Sequence, residues 1–367
     1  MPSHLCRLQL LAMLSSSIPN HLRCTRTRPA TLPAGFEPPY PSYSVRFPEH
    51  ASQLVMAVIG AQYRTASDAD GAAQSTLSTF LTSPSNPPSF FEWASVIDNQ
   101  GFYNISALAY WPSKATYDVW AEQSGFWKWW QELTPKACQH GWFLEVFFPT
   151  LGRLETLFNT NDFPEGCAHM REGMSGEIQE HGYWGSMRDR IPASQTDSLV
   201  GIQATAEDFK GSQKTGIGSR IRIPGKKNLT VIRSGQNWLD TSPEERELYL
   251  DTMHPVLING MDFLRDHGEE VGCYSCRFMA IVDPITTKAD KDRTFGLAYF
   301  DDLGSLERWC REHPTHLAIF GGFHQYARKL KNNVTLRVFH EVMVLEPEQQ
   351  LFEYVACHPG TGMSQYV

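Results

Sequence analysis

ALAYW at 107–111 and GLAYF at 296–300 are two near-copies of one strand-like segment, and the offset that carries Tyr110 to Tyr299 also carries Trp120 to Trp309 without a gap. Further on, LEVF at 144–147 falls on LRVF at 336–339. A self-match that persists across several elements marks a duplicated structural unit. Around the first copy, apolar runs at 55–64, 90–97, 106–111 and 142–148 read as strands, with one helix through 76–82 and another from 113 to about 132. The order is βαββαβ. Around the second copy it recurs: strands at 229–233, 274–282, 295–300 and 335–345, with helices after the first and third. The first of those helices opens on Ser242-Pro243-Glu244-Glu245, an N-cap residue, a proline at the first helical position and acids in the first turn.

That element order predicts an α+β fold of two tandem ferredoxin-like modules, of the dimeric α/β-barrel type, with antiparallel sheets and flanking helices. Two such sheets can pack face to face and enclose a pocket at one rim. The boundaries that follow are an N-terminal extension and arm (1–45), a first module (46–160), a connecting segment wrapping the cavity as loops (161–225), a second module (226–350), and a C-terminal strand and tail (351–367).

With 367 residues, 41% apolar and 12% aromatic, the chain can bury sizeable cores. A formal charge of −8 without a basic stripe argues against nucleic acid or an anionic membrane surface as partner. No apolar run is long enough to span a bilayer. Residues 1–36 lack acids and carry Arg7, Arg23, Arg26 and Arg28, which imitates a targeting peptide, but the apolar stretch is short and Met13 offers a second start. Sequons at Asn104, Asn228 and Asn333 would matter only in a secreted protein. Eight scattered cysteines suit a reducing, cytoplasmic setting. Only Cys273 and Cys276 have CxxC spacing; without a second ligand pair they read as small core residues. Cys357 is a thiolate-ligand candidate, read instead as a strand end.

Two histidines carry possible chemistry. His316, in HPTH at 313–316, opens a helix with Ile319, Phe320 and Phe323 at helical spacing, so its imidazole stands on an apolar, aromatic face. Such a histidine is either a satisfied core residue or a ligand, and an aromatic wall behind one imidazole is what a haem face requires. His340 is in phase with Leu336, Val338, Val342 and Val344, with Arg337 and Glu341 facing the other way, which turns it inward. A buried imidazole needs a polar partner, so it is either bonded to the backbone or catalytic.

The runs SGEIQEHGYWGSMRDRIP (175–192), VIRSGQNW (231–238) and HPTH (313–316) closely resemble the haem-dependent aldoxime dehydratases, aliphatic and phenylacetaldoxime enzymes alike. The resemblance extends from about residue 21 to 362, and members of that family begin near Met13. It implies haem b, active as Fe(II), bound through His316 with Phe320 beside the cofactor. It further implies His340 as distal catalytic histidine, Ser234 as distal serine, Arg190 as distal arginine with Arg188 as rival, and Glu155 from the ETL motif. It also implies an aldoxime substrate, no nucleic acid or membrane partner, and a cytoplasmic homodimer. Cys276 replaces a usual asparagine, and residues 210–227 differ in length and content.

The residue types suit the reaction. Converting R–CH=N–OH to a nitrile breaks N–O and removes the aldehydic proton. The expectation is that ferrous iron binds the oxime nitrogen, His340 protonates the leaving hydroxyl, Ser234 holds it, and Arg190 with Glu155 orients His340. The alternatives are a haem peroxidase-like protein and a haem carrier of related fold.

Overall fold

The computed structural model describes residues 14–182, 186–205, 218–289 and 291–366. The arginine-bearing start through Met13, the Tyr183-Trp184-Gly185 part of the long motif and residues 210–217 of the variable stretch lie outside them. After a short β1 (Val45–Arg46), the sequence VMAVIGAQY, too apolar to face water on either side, forms β2 (Val55–Tyr63) and is buried throughout. The first unit continues with α1 (Ala72–Leu81), β3 (Phe90–Ile97), β4 (Tyr103–Trp111), α2 (Lys114–Gln123), α3 (Phe126–Glu132) and β5 (Gly141–Phe147). The single helix expected over 113–132 is thus two. Gly125 adopts φ 81°, a left-handed conformation that ends one helix and lets the chain restart at Phe126.

The connecting segment, expected as loops, contributes β7 (Gly173–Met174), α4 (Ser186–Arg190) and β8 (Arg220–Ile223), preceded by β6 (Leu154–Phe158). The second unit comprises β9 (Leu229–Asn237), α5 (Pro243–Leu248), α6 (His254–Asp266), β10 (Cys273–Ile281), β11 (Arg293–Phe300), α7 (Leu303–Glu312), α8 (Pro314–Lys329) and β12 (Arg337–Leu345). A π-helical turn over Tyr249–Met253 joins α5 to α6, just before Pro255, whose missing N–H and bulky ring disfavour a regular α-turn there. Pro314 separates α7 from α8 in the same way, with His313 as N-cap. The tail adds β13 (Gln350–Val355).

Eleven strands form one antiparallel sheet in the order β6-β12-β9-β11-β10-β3-β4-β2-β5-β13-β8. Within it, β3-β4-β2-β5 and β10-β11-β9-β12 repeat the same arrangement. They join into one sheet where Ser95 and Ala94 of β3 pair with Ala280 and Ile281 of β10. The sheet curls so that its halves pack inner face to inner face, Met56, Val58 and Leu108 against Val231, Leu297 and Met343. The opposite face of the first unit lies under α1–α3, around Ile59, Trp111, Trp120 and Trp130. That of the second lies under α6 and α7, around Phe300, Leu306 and Val344.

The duplication is written into this inner core. The hydroxyl of Tyr110 donates to Glu341 Oε2 of the other unit at 2.8 Å, and its repeat mate Tyr299 donates to Glu145 in return. Glu341 does face away from His340, yet that side is packed core and Glu341 is fully buried. Arg233 and Arg277 neutralise the two carboxylate clusters. Cys273 and Cys276 are buried, and burial pushes both thiols up, Cys276 to about 12, as suits core residues. Cys357 follows β13, buried, with its thiol donating to the carbonyl of Trp142 at 3.2 Å. Asn104 and Asn228 are buried, so those sequons are not surface acceptors.

Candidate active site

Strand register assembles one side of the site. On β12, His340 lies directly across from Ser234 of β9 and Leu157 of β6, and Val342 lies across from Glu155. Opposite residues of an antiparallel pair share a face, so His340, Ser234 and Glu155 all project to the helix-covered side of the second unit. The short helix α4 brings Arg190 to the same place. Its guanidinium grips Glu155 with two bonds, Nε to Oε2 at 2.7 Å and Nη2 to Oε1 at 3.0 Å. Its remaining donors go to the carbonyl of Glu180 at 2.8 Å, to Ser186 Oγ at 3.2 Å, and towards His340 Nε2 at 3.1 Å. Arg188, two residues earlier, points elsewhere and binds Glu307 and the carbonyl of Ser198. Among the two arginines, Arg190 is therefore the one joined to His340.

His340 Nε2 stands 2.9 Å from Glu155 Oε1 as well as near Arg190. Protonated, this nitrogen donates to the carboxylate; unprotonated, it accepts from the guanidinium. With Nε2 held by this pair, a proton exchanged with a substrate is the one carried by the other ring nitrogen, Nδ1. Burial alone would raise the pKa of Glu155, but the charges of Arg190 and His340 outweigh it and hold the carboxyl at about 2. Glu155 is accordingly ionised at any working pH. His181, nearby, bonds Ser42 Oγ at 2.8 Å; burial and then the Arg190 charge push its pKa down to about 4, so at neutral pH it is uncharged.

The facing wall is α8. His316 lies in its first turn, its ring 4.5 Å from the Trp309 indole in a T-shaped contact and hydrogen-bonded to the backbone of Cys310. Burial lowers its pKa to about 4, so it is a neutral imidazole, the form that ligates metals. A backbone bond of this kind fixes which way the ring points. Ile319, Phe320 and Phe323 follow along the helix and are only half-buried, as are Ile232, Ser234, Val338 and His340 on the sheet. The reason is that α8 packs on α6, α7 and the π-helical turn rather than on the strands. Gly260 of α6 lies at that contact, where an added Cβ would come within 2.7 Å of the tip of the Ile319 side chain.

The outcome is a slot between an apolar helix face carrying one imidazole and a strand face carrying His340, Ser234, Glu155 and Arg190. Among the described residues no group of three or more His, Cys, Asp or Glu could hold a bare metal ion. One imidazole suffices only for an iron whose other ligands come from a flat macrocycle, and the half-buried apolar and aromatic lining of the slot suits such a group. Sequence reasoning missed two contributors here. Tyr40, from the N-terminal arm, bonds His324 of α8 at 3.0 Å, and Ser17, Pro19, His21 and Leu22 of the same arm line a cavity beside the Glu155–Arg190 pair. Neither has a pattern signal, because arm residues gain meaning only from what they cover.

Residues 57–363 match the family model described as haem-containing dehydratase. The chain is 38% identical over 352 residues to an aliphatic aldoxime dehydratase of Rhodococcus globerulus, covering 95% of this chain and 97% of that one. It is 39% identical over 355 residues, with the same coverage, to that of Pseudomonas chlororaphis. A phenylacetaldoxime dehydratase of Bacillus sp. (strain OxB-1) is 29% identical over 335 residues, 90% of this chain and 93% of that protein. The crystal structure of an aldoxime dehydratase in complex with butyraldoxime superposes with a TM-score of 0.85 at 36% identity, covering 96% and 97% of the two chains. The chain belongs to the haem-containing dehydratase family, and haem is its cofactor.

Proposed function

We propose that this protein dehydrates aldoximes to nitriles and water, with haem b held by His316 in the slot between α8 and the second unit's strands. The carrying observation is that His340, Glu155 and Arg190 form one hydrogen-bonded group on the strand face opposite His316, with Ser234 directly across the ladder from His340. The names of the relatives and the butyraldoxime bound by one of them supply the substrate class. Haem, held by His316, would in its ferrous state supply the electron density that weakens the N–O bond of the oxime.

The chain's own residues do the rest. Ser234, across the ladder from His340, holds the oxime hydroxyl in line. His340 gives that oxygen a proton, so the N–O electron pair departs with it as water. Now neutral, His340 accepts the aldehydic proton, and the C–H pair becomes the third carbon–nitrogen bond. One proton leaves His340 and one returns, so the cycle closes without a co-reactant. Glu155, fixed by the Arg190 fork, orients the imidazole and stabilises its charged form. The two repeated strand arrangements are best read as tandem ferredoxin-like modules, the second carrying the haem ligand. Among the described residues no helix is long and apolar enough to cross a membrane; a cytoplasmic homodimer accompanies this reading.

Paired variants test it. His316→Ala loses haem, because the aromatic wall cannot supply the axial bond. His340→Ala keeps haem and still binds oxime at ferrous iron, yet turnover falls by about 10²–10⁴-fold, the usual share of a general acid. Haem retained with a histidine-ligated spectrum in the first, or near wild-type turnover in the second, contradicts these roles.

A further inference from the structure

Behind the Glu155–Arg190 pair, on the side away from α8, lies a cavity of about 40 Å³ bounded by Ser17, Pro19, His21, Glu155, Thr156 and Arg190. Its outer wall is the N-terminal arm, held in place by Glu180. The backbone N–H of Ser17 donates to Glu180 Oε2 and the Ser16 hydroxyl to Glu180 Oε1, both at 2.7 Å. Arg46 binds the Ser17 carbonyl at 2.8 Å, and Ser15 exchanges backbone bonds with Glu177 and Gln179. The carbonyl of the same Glu180 accepts from Arg190. The arm and the distal arginine therefore share one anchor.

Three observations say what fills this space. Ser17 is 5% exposed, lines the cavity, and its hydroxyl has no partner among the described residues. A buried hydroxyl left unbonded is costly, so it seeks a partner in the void it lines. Glu155 Oε2 accepts a single protein bond, from Arg190 Nε, leaving capacity for another donor. All the Arg190 donors are meanwhile engaged by protein. The volume has room for about two or three waters. We propose that ordered water in this cavity bridges Ser17 Oγ to the Glu155 carboxylate, making Ser17 of the N-terminal arm a positioning residue for the distal histidine. Water bonded to Oε2 fixes the rotation of the carboxylate, and that rotation sets where Oε1 meets His340. The inference rests on the proposed roles of His340 and Glu155.

The test compares holoenzyme of wild type with Ser17→Val, which fills the cavity, Ser17→Ala, which keeps the space without the hydroxyl, and Ser17→Thr, which keeps the hydroxyl. Crystals of the wild type show water within hydrogen-bond distance of Ser17 Oγ and Glu155. Ser17→Val lowers kcat about 10-fold, in the range of other supporting-residue changes. It does so with haem content and KM unchanged, a shifted acid limb of the pH profile, and a shifted stretching frequency of carbon monoxide on ferrous haem. Ser17→Ala moves the same readouts less, Ser17→Thr least, and Ser17→Ala alone decides the matter if the valine variant does not fold. A dry cavity, or wild-type pH profile and carbon monoxide frequency in both Ser17→Ala and Ser17→Val, overturns the inference. A wild type that binds haem but turns over no oxime sinks the functional reading instead, while water and carbon monoxide still judge Ser17.

Discussion

His181 sits 2.8 Å from Ser42 Oγ and within the field of Arg190, and burial with that charge holds its pKa near 4, against roughly 6.5 in an unfolded chain. The folded state prefers the neutral ring. Its contribution to stability is therefore complete above about pH 6.5 and is lost as pH falls through about 4. Thermal unfolding followed from pH 7 to pH 4 should show a falling Tm, and His181→Gln should flatten part of that fall; an unchanged slope contradicts the assignment. At the same scale, His340 was legible in sequence because a period-two pattern fixes direction along a strand. Glu341 was less so: a charged residue out of phase with an apolar stripe ordinarily faces water, but here the reverse face is the buried seam between units. Glu155 and Arg190 carry no pattern of their own. Only the resemblance pointed to them, since an ion pair between a strand and a distant short helix leaves no trace in spacing.

Elements explain why there is room for a cofactor. Helix α8 is held off the strands by its seat on α6, and Gly260 of α6 lies in that seat against the tip of the Ile319 side chain. Gly260→Val should push the helices apart, displace His316 from the strand face and lower the ratio of haem to protein in purified material, while the first unit's core stays intact. Full haem loading in that variant would show that the slot tolerates movement of α8. Helix and strand order could be read from periodicity, whereas the break at Gly125 could not, because one glycine inside an amphipathic run is compatible with either a continued or an ended helix. The π-helical turn was likewise hidden: a proline says that a helix is disturbed, not how.

Across the whole molecule, the repeat in ALAYW and GLAYF announced two units, and the reciprocal contacts of Tyr110 and Tyr299 show how they are locked together. Strands β6 and β8, added at the edges, have no repeat mates and so escaped notice, whereas β13, also without a repeat mate, was expected as the C-terminal strand. The seam carries buried charge, with Arg233 among Glu92, Glu341 and Tyr110. Removing one member of such a cluster leaves its partners uncompensated at a cost of about 3–5 kcal/mol. Arg233→Met should therefore shift the urea midpoint far more than Tyr110→Phe, which forfeits a hydrogen bond worth about 1 kcal/mol. Equal shifts would mean that water reaches the seam. The duplication is not symmetrical at this position: the offset that carries Trp120 to Trp309 places Trp127 where the second unit has His316, and Trp127 packs against the first unit's aromatic core.

The central claim, that this chain uses ferrous haem to turn an oxime into a nitrile, is tested most directly by incubating dithionite-reduced protein anaerobically with phenylacetaldoxime and with butyraldoxime and assaying the nitriles. The account predicts phenylacetonitrile or butyronitrile from the reduced protein and little from the same preparation left ferric. Equal turnover by the ferric form, or no nitrile from either oxime with fully haem-loaded reduced protein, would contradict it.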